Sequence, residues 1–166
     1  MLDYCDHIIG EFEKKLAVSE PYRGKKKLYT GVDLGTAYIV LAVVDEEGNP
    51  VGGSYEYAEV VRDGVVVDFV GACRIVKKMK KDLEERLETE LELAAVAYPP
   101  GINQAEVRSI KYVAEEAGFE VIGFVDESTA ANQVLKIQHG AVVDVGGGTT
   151  GIAVFKAGEA VYTADE

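Results

Sequence analysis

Gly31-Val32-Asp33-Leu34-Gly35-Thr36 and Val142-Val143-Asp144-Val145-Gly146-Gly147-Gly148-Thr149 are two versions of one pattern. Each reads as an apolar strand ending in aspartate, a turn of glycine and threonine, and a second apolar strand, followed by a further turn at Gly48 or Gly158. Asp33 and Asp144 stand 111 residues apart, the length of a domain, so the repeat implies duplicated domains and not a solenoid.

The pattern suits phosphate. Glycines in a tight turn let backbone N–H groups approach phosphate oxygens without interference from a Cβ, and a threonine hydroxyl adds a donor. A strand-end aspartate can hold Mg²⁺ directly or through its waters. The turns are neither a Walker A, since no GxxxxGK[ST] occurs, nor a dinucleotide fingerprint, since a strand and not a helix follows the glycines. Either hairpin alone reads equally well as a structural turn, but two facing copies would form a clamp. The three glycines 146–148 cost chain entropy without a packing return, which points to close approach to something.

Outward from these turns, strands are predicted over 28–33, 38–45 and 51–60, an antiparallel meander with a Glu-Gly-Asn-Pro turn at 47–50. A turn at 62–64, a strand over 65–69 and a long amphipathic helix marked by Ile75, Val76, Met79, Leu83, Leu87 and Leu91 come next. Strand 93–98, a helix opened by an Asn103/Glu106 capping box and ended at Gly118, strand 119–125, helix 128–137 and strands 141–145 and 152–155 complete the order. A meander followed by alternating strands and helices implies an α/β fold, a mixed sheet with helices on its faces. Residues 1–18 place Leu2, Cys5, Ile8, Ile9, Phe12 and Leu16 at helical spacing ahead of Pro21, Gly24 and Lys25 to Lys27, and so read as an amphipathic helix on a short basic linker. Its apolar face either packs on its own domain or docks in a partner's groove.

Of the 166 residues, 48% are hydrophobic and 28% charged, ordinary globular content. No apolar run approaches the roughly 20 residues that span a bilayer, and 1–12 is too acidic for a secretory signal, so the expected location is cytoplasmic, without membrane contact. Cys5, Cys73, His7 and His139 lack disulfide-framework or zinc spacing. The net charge is −12, with 13 basic and 16 acidic side chains in residues 1–86 but 4 and 13 in residues 87–166. That distribution argues against nucleic-acid binding, though an acidic protein still binds polyphosphate where backbone amides and a divalent cation supply positive potential.

The two turns resemble the phosphate-1 and phosphate-2 motifs of the actin, sugar kinase and heat-shock chaperone ATPase superfamily. Phe124-Val125-Asp126-Glu127-Ser128-Thr129-Ala130-Ala131 is similar to its connecting motif. Residues 61–69, Tyr98-Pro99-Pro100-Gly101 and residues 161–166 look most like the chaperone-like family of ethanolamine-utilisation operons within it. The resemblance runs from about Tyr29 to Glu166 and implies an actin-like (ribonuclease H-like) lobe over 28–138 and the first β-hairpin of a second lobe over 139–166. Residues 1–27 fall outside it.

Carried over by position, the resemblance implies ATP and Mg²⁺ as cofactors. Asp33 and Asp144 would organise the metal shell. Gly35, Thr36, Ala37 and Tyr38 of the first turn and Gly146, Gly147, Gly148 and Thr149 of the second would bind the phosphates. Glu127 would orient the attacking water; its other reading is a carboxylate favoured by a helix N-terminus. Ala37 replaces the second hydroxyl of the family's first turn, and Cys73 stands where a lysine is expected, which implies a weak ATPase at best. Nothing after Thr150 supplies an adenosine-binding motif, so the expected site is half a clamp, completed by a second lobe. A lone hairpin over 141–163 would have open edges and self-associate. Microcompartment enzymes or shell proteins are the implied partners. The competing readings are a non-enzymatic scaffold that retains the fold, and a small-molecule kinase, for which no sugar-binding segment is apparent.

Overall fold

The computed structural model describes residues 2–17 and 20–166. It comprises α1 (Leu2–Ala17), β1 (Leu28–Leu34), β2 (Tyr38–Asp45), β3 (Pro50–Tyr57), β4 (Val61–Arg62), β5 (Val65–Val66), α2 (Phe69–Leu87), β6 (Leu93–Tyr98) and α3 (Gln104–Glu116). β7 (Glu120–Asp126), α4 (Glu127–Leu135), β8 (His139–Val145), β9 (Thr150–Lys156) and β10 (Glu159–Asp165) follow.

A five-stranded sheet runs in the order β3-β2-β1-β6-β7, antiparallel through the meander and parallel from β1 to β6 to β7. This is the mixed α/β architecture the sequence implies. Alternation along β2 buries Ile39, Leu41 and Val43 completely against α2 and α3. α2 contributes Val76, Met79 and Leu83 to that core, and α3 contributes Ile110 and Val113. The Asn103/Glu106 capping box is formed, with Asn103 accepting from the Ala105 and Glu106 amides.

Several boundaries differ from the sequence reading. The strand expected over 65–69 is only the short β5, because Asp68 caps α2 by accepting from the Gly71 N–H at 2.8 Å, and the helix therefore starts at Phe69. β3 ends at Tyr57, short of the expected residue 60. The two-stranded C-terminal hairpin is in fact a three-stranded antiparallel sheet, β10-β9-β8, because the chain reverses at Ala157 and Gly158, both at positive φ, and β10 returns along β9. One face packs Val142, Ala153 and Phe155 against Ala131, Leu135 and Ile137 of the connecting segment.

Of its two readings, the N-terminal helix takes the first and packs on its own domain. Gly53 of β3 leaves a flat spot where a Cβ would sit 2.5 Å from Phe12 Cζ and 3.0 Å from Leu16 Cδ2. Arg86 ties the helix end down by donating to the Lys15 and Leu16 carbonyls at 3.2 and 3.1 Å and to the Gly53 carbonyl. At the other end, Cys5 Sγ donates to the Val134 carbonyl of α4. Residues 1 and 18 of the predicted helix, and the Leu2 side chain, lie outside the described set.

Candidate nucleotide site

The parallel strands β1, β6 and β7 all point their carboxyl ends toward one region, the usual location of ligands in such sheets. A cavity of about 170 Å³ opens there, lined by Asp33, the turn 34–38, Pro99, Glu127, Asp144, Gly146, Gly147 and Thr149. The structure thus gathers candidate residues from β1, α4, β8 and the two glycine turns. The exception is Gly148, which abuts Thr36 instead: a Cβ there would meet Thr36 Cγ2 and Oγ1 at 2.8 Å. Val61, Gly64 and Pro99 also line the cavity. The Arg62-Asp63-Gly64 turn that carries Gly64 was visible in the sequence, but nothing there ties it to the phosphate turns. A larger cleft of about 480 Å³ lies where Lys25, Lys26 and Lys27 meet Glu90 and Glu92, and it holds none of the candidate residues.

Gly147 and Gly148 have a packing return that the sequence reading did not give them. A Cβ on Gly147 would stand 2.9 Å from Ala37 Cβ, so Gly147 and Gly148 let the two turns touch, and that contact is their packing return. The Gly146 N–H donates to the Thr149 carbonyl at 2.9 Å and closes the second turn on itself. Tyr38 lines the cavity while its ring stacks edge-on against Tyr55 and Tyr57, with centroids 6.0 and 5.7 Å away.

Electrostatically the site is acidic and uncompensated: among the described residues lining the cavity, three are carboxylates and none is basic. Burial, with a further push from Asp144, raises the Asp33 carboxyl to about 6, and its buried Oδ1 has no hydrogen-bond partner. Glu127, the first residue of α4, is raised to about 8, mainly by burial and then by Asp33, Asp144, Asp165 and Asp126. Asp126 itself caps α4, accepting from the Thr129 N–H at 2.9 Å.

Among the described residues no group of three or more His, Cys, Asp or Glu side chains could hold a metal by itself. An orphaned Asp33 oxygen that feels the Asp144 charge nonetheless fits a cation whose remaining positions are filled by water and phosphate oxygens.

Known proteins share this fold. The MreB/Mbl protein family matches residues 40–165. The chain belongs to the MreB/Mbl family. It is 44% identical over 146 residues to the ethanolamine utilization protein EutJ of Escherichia coli (strain K12), a match covering 88% of this chain and 51% of that protein. The crystal structure of EutJ from Carboxydothermus hydrogenoformans superposes with a TM-score of 0.90 at 42% identity, covering 98% of this chain and 60% of that one. MreB5 of Spiroplasma citri bound to ADP gives a TM-score of 0.65 at 21% identity over 84% of this chain and 52% of that one, a likeness of fold alone. The fold is therefore that of the actin-like ATPases, and the chain is EutJ-like within it. It spans about half the length of the curated EutJ relatives it matches. Among the described residues no helix is long and apolar enough to cross a membrane.

Proposed function

We propose that this chain binds ATP with Mg²⁺ between its two glycine turns, as part of a chaperone-type actin-like protein of ethanolamine utilisation that acts in the cytoplasm or at a microcompartment. One observation carries the reading: two turns and three carboxylates, from segments more than 100 residues apart, converge on one cavity. The relatives add nucleotide in a protein of the same fold and the EutJ likeness. In this reading 28–138 is the first lobe, and 139–166 opens the second, the rest of which closes over the nucleotide.

Asp33 and Asp144 would hold the metal, which supplies charge neutralisation for the phosphates. Gly35, Thr36, Gly147 and Thr149 present backbone and hydroxyl groups to the cavity. Glu127, which lines the cavity, would orient a water. Without a cation its carboxyl keeps a proton up to about pH 8, and in that form it cannot act as a general base. Calorimetric titration with ATP and Mg²⁺, with Asp144→Ala as control, tests the reading. Binding that the substitution abolishes supports it; absence of binding by the chain overturns it for residues 1–166.

The same reading includes self-association. Val143, Val145 and Tyr162 stand exposed on the C-terminal sheet, whose outer strands β8 and β10 are unpaired along one edge each. A second reading, a scaffold that keeps the fold without catalysis, is favoured by the Ala37 methyl packed on Gly147, where the family's motif carries a hydroxyl.

A further inference from the structure

The register of the C-terminal sheet places Asp144 of β8, Gly151 of β9 and Asp165 of β10 in one transverse row. Directly paired residues point to the same face of a sheet, and two strand spacings put the outer Cα atoms about 9–10 Å apart. Both carboxylates therefore leave the sheet on the side to which a Gly151 side chain would point. A Cβ on Gly151 would stand 3.0 Å from Ser128 Oγ and 3.3 Å from Pro100 Cδ, so the serine hydroxyl hangs over the middle of the row.

Ser128 is 0% exposed, and its hydroxyl has no hydrogen-bond partner among the described residues. Asp165 Oδ1 is also buried without a partner. Buried polar atoms are normally satisfied, so two orphans facing one glycine gap call for an explanation. Asp165 also feels Glu127 across the gap, since Asp165 is among the charges acting on that carboxyl. The local charge is negative throughout.

We propose that Asp144, Ser128 and Asp165 form a subsite for a hard cation across Gly151, beside the phosphate cavity. The donors are two carboxylates and a hydroxyl, oxygen ligands that suit Mg²⁺, Ca²⁺ or K⁺ and not a soft metal. With two carboxylates in place of three, the cation keeps waters in its remaining positions. Gly151 is required because any side chain there would fill the gap and strike Ser128. Asp144 is shared with the metal of the proposed nucleotide site, whereas Ser128 and Asp165 belong to neither glycine turn, so substituting those two tests the subsite apart from ATP binding.

The test is calorimetry on the nucleotide-free 166-residue chain, stripped with EDTA and titrated with MgCl₂, CaCl₂ or KCl at an ionic strength fixed with tetramethylammonium chloride. Asp165→Asn, Ser128→Ala and Asp33→Asn are compared, with circular dichroism confirming that each folds. The expected result is saturable binding of at least one cation by the wild-type chain, weakened about tenfold or more in Asp165→Asn and in Ser128→Ala. The proposal is overturned if no cation binds beyond the tetramethylammonium control. It is equally overturned if Asp165→Asn and Ser128→Ala bind like wild type, or if only Asp33→Asn loses binding. Should Asp165→Asn fail to fold, the Ser128→Ala comparison decides the matter alone. An ATP titration of the same variants separates this outcome from failure of the nucleotide reading.

Discussion

Replacing Glu127 by Gln should raise stability only slightly at pH 5.5 and much more at pH 9. The Glu127 carboxyl is displaced from its ordinary 4.5 to about 8, so between those pH values the folded state holds a proton that the unfolded chain has lost. Stability then falls as pH rises through this window, because unfolding releases a proton. At 1.36 kcal/mol per pH unit the full displacement is worth about 5 kcal/mol. The residue is only partly buried, and screening by solvent cuts that to roughly 2 kcal/mol. For a domain of this size that is a melting shift of about 4–8 °C. Gln is nearly isosteric and cannot ionise, so the variant lacks the loss. The assay is thermal unfolding in EDTA from pH 5 to 9 for both chains. A difference between them that stays flat with pH, or a variant less stable than wild type at pH 9, would refute the electrostatic account of this carboxyl.

Other outcomes follow from packing and charge. Gly148→Val should force Thr36 away and separate the turns, costing about 1–3 kcal/mol in thermal unfolding. Gly53→Val should displace Phe12 and Leu16 and release α1, seen as faster tryptic cleavage at Arg23 and Lys25, while the five-stranded core stays protected. Asp45 is held near 2 by Asn49 first, with the Asn49 and Glu47 amides and Lys26 adding, so its contribution is present above its ordinary 3.8 and lost as pH falls through 2. Asp45→Asn should therefore remove part of the acid-side decline in melting temperature. If the exposed C-terminal sheet pairs chains, Val145→Lys should lower the sedimentation coefficient at high concentration; an unchanged value would discard that surface.

What could be read from the sequence was set by short-range signals. The repeat at Asp33 and Asp144, the Asn103/Glu106 box and the alternation of β2 each need only a few neighbouring residues, and all appear where the pattern puts them. The missed features depend on contacts across the chain. That Gly53 is flat enough for Phe12, that Gly147 receives Ala37, and that Asp165 lies in line with Asp144 are facts of register between distant strands. The early start of α2 was missed for a different reason, since Asp68 serves equally well as a strand end or a cap until its partner is known. Glu127 was named from a motif, but the size of its displacement comes from burial and four neighbouring carboxylates, which no linear spacing displays.

These carboxylates couple the proton and the cation in opposite directions. Without a cation the folded chain loses stability as pH rises, because Asp33 at about 6 and Glu127 at about 8 ionise in a pocket with no basic side chain among its described residues. A cation needs those same groups ionised, so its affinity rises over the same range as protons cease to compete. Saturating cation adds stability that grows with its concentration relative to the dissociation constant. The melting temperatures with and without Mg²⁺ should therefore diverge from pH 5.5 to pH 9, the free chain falling while the loaded chain holds. Parallel curves would mean that Mg²⁺ binds away from Asp33 and Glu127. Convergence at high pH would mean that the cavity is relieved of its charge by some other group, and the acidic turn-and-carboxylate cluster would no longer explain why the site has no cation of its own among its side chains.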